Sequence, residues 1–89
     1  MGKKEEKQLV ANILGKNIRY HRNKNGMTIE ELAYHAQIDD KNLGRIERGK
    51  RSPLPETLYK IATVLEISPN DIFEGLEGLL KTIPTNNDK

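Results

Sequence analysis

The sequence predicts an all-α fold of five helices in one small domain, and three observations carry that prediction. Apolar residues recur at three- and four-residue spacings, helix-capping residues stand at the breaks between those runs, and strand-like alternation never extends beyond a few residues. The chain has 89 residues, enough for one hydrophobic core and not two. Only 35% of residues are apolar, 31% are charged and the mean hydropathy is −0.74, so the core is small and part of the chain is expected to be tail.

Residues 1–7, MGKKEEK, offer little to bury and are expected to form a flexible N-terminal tail, as are residues 82–89 at the other end, leaving a domain over 8–81. The first helix is expected over about 8–24, with Leu9, Val10, Ile13, Leu14 and Ile18 on one stripe. Asn25-Gly26 ends it, with Gly26 as a left-handed cap. Thr28 and Glu31 then form a T-x-x-E capping box for a short second helix that turns Leu32, Ala33 and Ala36 inward. Asp39 caps a third helix over about 40–48, with Leu43 and Ile46 inward and Gly49 at its end. Leu58, Ile61, Ala62 and Leu65 mark a fourth helix over about 55–66. Ser68-Pro69 opens a fifth, carrying Ile72, Phe73, Leu76, Leu79 and Leu80 and weakened by Gly75 and Gly78. Its apolar residues Phe73, Leu76, Leu79 and Leu80 serve equally as core edge or as a homodimer seam.

Several function classes drop out. No cysteine is present, which excludes disulfides, thiol nucleophiles and Cys-based metal sites. No apolar run reaches a membrane span and no signal peptide is apparent, so no membrane partner and a cytoplasmic location are expected. His21 and His35 lack metal-ligand spacing, and the carboxylate pairs 5–6, 30–31 and 39–40 are sequence neighbours that diverge by about 100° on a helix. Neither an enzyme, a metal site nor a cofactor is expected. The net charge of +2 divides unevenly: residues 1–65 hold 13 Lys and Arg against 8 Asp and Glu, and residues 66–89 hold 2 against 5. A basic body with an acidic end leans toward a polyanionic partner, nucleic acid first.

Two short helices joined by a tight turn over about 28–48, the second with few inward residues and many polar outward ones, suit an α-helix carried into the major groove of double-stranded DNA. Asp40, Lys41, Gly44 and Arg45 lie along the outward side, and Arg48, Lys50 and Arg51 follow as phosphate contacts. The pieces GMT-x-EELA (26–33), LGRIERGKRSP (43–53), L-x-KIA-x-VL (58–65) and ISPNDIF (67–73) together resemble the Cro/C1 (XRE-type) helix-turn-helix regulator family, over about two-thirds of the chain. The resemblance implies a compact lambda-repressor-like domain, base reading by Asp40, Lys41, Gly44 and Arg45, and backbone contacts at Thr28, Ile29 and Asn42. It implies a partly buried ion pair between Arg22 and Glu47, and packing roles for Ala33 and Leu43. Ile29 stands where the family often has a phosphate-contacting glutamine, which leaves that contact to backbone N–H groups. Gln37 replaces a common turn glycine, so a positive φ is expected at a residue with a side chain.

The implied function is a transcriptional regulator, chiefly a repressor, acting as a homodimer on a palindromic operator; activation would need a further contact with RNA polymerase. The lack of an effector domain and the extended first helix also resemble restriction-modification controller proteins. The alternative is an antitoxin-like or adaptor protein whose main partner is another protein, favoured by Ile29 and Asp40.

Overall fold

The computed structural model describes residues 2–80, which form six helices: α1 (Lys3–Lys24), α2 (Ile29–Ala36), α3 (Asp40–Glu47), α4 (Pro55–Leu65), α5 (Pro69–Ile72) and α6 (Leu76–Leu80). Ile18, Leu32, Leu43, Ile46, Ile61 and Ile72 are fully buried, so each of the first five helices sends at least one large aliphatic side chain into a common centre. α1 packs chiefly against α3, and α2 against α4 and α3.

Two expectations are corrected. Residues 3–7 are not a tail but the opening of α1, because Glu5 and Glu6 complement the positive helix end and the Glu5 carboxylate accepts the Gly2 N–H at 2.7 Å. Of the expected stripe, Leu14 and Ile18 are buried, Val10 packs against the core and Ile13 is half-buried; Leu9 alone is exposed, and Ala11 joins the buried side. The fifth helix is divided in two, since α5 ends at Ile72, capped by Phe73, and the chain turns through Gly75 at φ 99° before α6. Asn17 secures the break, its amide donating to the carbonyls of Ile72 at 2.7 Å and Glu74 at 2.9 Å. The tail expected over 82–89 lies outside the described residues.

Helices α1 to α4 end in the same way. After each, one residue takes a left-handed conformation (Gly26, Gln37, Gly49 and Glu66, φ 58–74°), and the next N–H bonds back to a carbonyl five residues earlier. Met27, Ile38 and Ile67 occupy that next position after α1, α2 and α4 and pack against the core, which anchors each turn. At Gln37 and Glu66 this hydrophobic anchor offsets the strain, of order 1–2 kcal/mol, of a left-handed residue with a side chain. The position after α3 differs: it is Lys50, which is exposed.

Candidate nucleic-acid interface

α3 has only eight residues, and its inner side is fully committed. Leu43 and Ile46 enter the core, and Glu47 is buried against Arg22 of α1. The Arg22 guanidinium donates through Nε to Glu47 Oε2 at 2.7 Å, through Nη2 to Oε1 at 2.9 Å and through Nη1 to the Met27 carbonyl at 2.7 Å. Its pKa is raised above the ordinary arginine value, first by the hydrogen bond to Glu47 and against the lowering effect of burial. This fork ties the end of α3 to α1 and to the turn that leads into α2.

The two helices approach because α1 presents small residues there. A Cβ added at Gly15 would collide with the Ile46 carbonyl oxygen and lie 2.7 Å from that of Glu47. Neither this close approach nor the contacts of Gln8, Asn12 and Asn17 were anticipated. The available signal is the spacing 4, 8, 11, 15, 18, 22, which puts Lys4, Gln8, Ala11, Gly15, Ile18 and Arg22 on a single face.

With its inner side held, α3 exposes Asp40, Lys41, Arg45 and the following Arg48, whereas Gly44, expected on the outward side, is buried because the side chains around it cover its bare backbone. Asp40, Lys41, Gly44, Arg45 and Arg48 line an open groove, closed on its other side by Ile29 and Glu30 at the start of α2. Lys41, Arg45 and Arg48, spaced four and three apart, form a cationic row along α3. Gly44 lies beneath this row, with the Arg48 guanidinium 3.2 Å from where a Cβ would project. Two carboxylates share the groove. Asp40 sits in the first turn of α3 and Glu30 in the first turn of α2, where the helix dipoles favour them. The cap residue Asp39 accepts the Asn42 N–H at 2.8 Å, and Asn42 is half-buried and does not line the groove.

The remaining backbone-contact candidates divide. Thr28 is exposed but closes a capping box, its hydroxyl accepting the Glu31 N–H at 3.0 Å while its own N–H reaches Glu31 Oε1 at 2.8 Å. Ile29 packs partly against the core. Lys50 and Arg51 sit apart from the α3 groove, in a second groove on the α1 side. Of the dimer candidates, Phe73 and Leu76 pack against the core of their own chain, and Leu79 is half-buried. The side chain of Leu80 lies outside the described part. No group of three or more potential metal ligands occurs among the described residues, and none of their helices is long and apolar enough to cross a membrane.

Two short helices joined by Gln37–Asp39, the first bracing the second and the second exposing a polar face, define a helix-turn-helix unit. The helix-turn-helix family profile matches residues 18–72, and the chain belongs to that family in its Cro/C1, XRE-type form. The HTH-type transcriptional regulator DdrOP3 of Deinococcus deserti is 35% identical over 60 residues, 67% of this chain and 46% of that protein. The chain thus spans about half the length of that relative. Among solved structures, the restriction-modification controller protein C.AhdI from Aeromonas hydrophila superposes with a TM-score of 0.69 at 32% identity, covering 71% of this chain and 96% of that one. An HTH_3 family transcriptional regulator from Vibrio cholerae gives a TM-score of 0.75 at 28% identity, over 92% of this chain and 46% of that one.

Proposed function

We propose that this chain is a non-enzymatic, cytoplasmic transcriptional regulator that binds double-stranded DNA as a homodimer on a palindromic operator, and that it represses by occupying promoter DNA. The observation that carries the reading is the α3 groove: the exposed Asp40, Lys41, Arg45 and Arg48 line it above the buried Gly44, on a helix held from behind by Leu43, Ile46 and the Arg22–Glu47 fork. In the major groove, Lys41 and Arg45 offer donors to guanine O6 and N7, and Asp40 an acceptor to a cytosine amine. Relatives named as transcriptional regulators, and a restriction-modification controller matched over nearly its whole chain, support a regulatory role. The protein-adaptor reading loses one of its two supports, because the packing of Ile29 against the core accounts for its apolar character.

Selection from a randomised duplex pool, followed by sequencing of what the protein retains, tests this directly. A recovered palindrome with half-sites about one helical turn apart is the expected result. Retention without a motif, or no retention, overturns it.

Base and backbone contacts separate by their specificity. Arg45→Ala should weaken the recovered site by about 1–3 kcal/mol and relax preference at one base position. Lys50→Ala should instead weaken all duplexes about equally and make the salt dependence less steep. Binding titrations on matched and single-mismatch duplexes check the difference.

The dimer seam is assigned to the outer side of α6. Leu76 also packs against its own core, so folding is measured alongside mass when it is altered. Leu76→Asp should halve the mass seen by light scattering and weaken operator binding, with circular dichroism reporting that the domain remains folded. An unchanged mass removes α6 as the seam.

A further inference from the structure

We propose that the first two turns of α1 form a second phosphate-binding ridge, in which Lys4 and Lys7, together with Lys50 and Arg51 of the loop after α3, grip the DNA backbone flanking the bases that α3 reads. The inference rests on the DNA-binding reading above and extends it to a part of the chain that reading does not use.

The ridge is built, not incidental. Lys4, Lys7, Gln8 and Ala11 fall at the spacings that share one helix face, and the buried Ala11 turns that face toward the loop. The Gln8 amide donates to the Gly49 carbonyl at 2.7 Å and to Asn12 Oδ1 at 2.9 Å, strapping α1 to the residue just before Lys50. Asn12 packs so closely on Gly49 that a Cβ there would lie 3.2 Å from the Asn12 amide carbon.

Lys4, Lys7, Lys50 and Arg51 consequently line one groove, with Ser52 beside them and no carboxylate in its lining. Of the nearby acids, Glu5 turns back to the Gly2 N–H, while Glu6 lines the adjoining depression with Lys3 and Lys7 and so stands at the Lys7 edge of the ridge. Four cations on one groove, with a carboxylate only at its Lys7 edge, suit a polyanion. Lys50 is at the one helix end, of the four built alike, where the core-anchoring apolar residue is replaced by a charge. The groove lies past the end of α3 and apart from the base-reading groove, and on this proposal it meets backbone outside the base-reading contacts.

The test uses the full chain, the palindrome from the selection and a mixed-sequence duplex of equal length. Lys4→Gln/Lys7→Gln should melt like wild type, since both side chains are exposed, and should select the same motif. Removing one phosphate-binding cation makes the slope of log Kobs against log salt shallower by about 0.9. The double variant should therefore show a slope shallower by about 1.8 on both duplexes, narrowing its affinity gap to wild type roughly tenfold between 50 and 200 mM salt. Phosphate-ethylation interference should disappear only at the flanking positions. Lys16→Gln/Lys24→Gln removes the same charge from elsewhere on α1 and should leave slope and interference near wild type.

An unaltered slope for the Lys4/Lys7 variant while wild type binds normally overturns the ridge alone. So does an equal change in the Lys16/Lys24 control, which would make the effect one of net charge. Absence of duplex binding by wild type overturns the DNA-binding reading and the ridge with it.

Discussion

Glu47→Ala should destabilise the domain by about 3–5 kcal/mol, because it strands a buried guanidinium. Arg22 and Glu47 are only 8% and 7% exposed, and two of the three hydrogen bonds from Arg22 end on this carboxylate. Water cannot replace both acceptors without opening the contact between α1 and α3. Against a total stability of about 5–15 kcal/mol for a domain of ordinary kind, the loss should lower the midpoint of thermal unfolding by roughly 12–40 °C. Arg22→Met/Glu47→Leu removes both charges together and should recover most of the loss, since no unpaired ion remains.

The pH dependence has a definite sign. A folded-state arginine pKa above its ordinary value means that the stabilisation is fully present at neutral pH and lost only in strong alkali. Moving from pH 7 to 10 should leave the difference between wild type and the double variant unchanged. Urea unfolding of the three proteins checks both points. A Glu47→Ala variant within 1 kcal/mol of wild type would mean that the fork does not hold α3 in place.

The helix boundaries readable in the sequence are those written in capping chemistry. Thr28 with Glu31, Asp39 and Ser68-Pro69 all begin helices where their side chains or rings satisfy or spare orphan N–H groups, and such signals are local. The glycine turns after α1 and α3 are readable for the same reason. Glu66 gave no such sign, because its left-handed conformation is paid for by Ile67 reaching the core, a tertiary contact. The start of α1 was hidden likewise: a charged run with nothing to bury reads as tail until Gln8 is seen to hold it against Gly49. For the candidate interface, the outward residues of α3 follow from its short apolar pair. Which cations face a common groove with α1 does not, since that depends on how closely two helices approach.

That approach is governed by Gly15, and Gly15→Ala should cost the protein about 2–3 kcal/mol, where helix propensity alone would favour alanine by about 1 kcal/mol. The new methyl group would meet backbone, namely the carbonyl oxygens of Ile46 and Glu47 and the Glu47 carbonyl carbon 2.9 Å away. No side-chain rotation relieves that contact. α3 must instead move bodily from α1, which stretches the Arg22–Glu47 fork at one end and the Gln8–Gly49 strap at the other. Stability and recognition should therefore fail together: the variant should unfold at lower urea and, under conditions where it remains folded, select DNA with a weaker motif. Gly78→Ala provides the contrast, because nothing within 4 Å would meet its Cβ and its backbone is not left-handed. It should be neutral or stabilising by up to about 1 kcal/mol. A Gly15→Ala variant as stable as Gly78→Ala would show that α1 and α3 leave room for a side chain. The helix would then not be held from behind as tightly as its proposed place in the major groove requires.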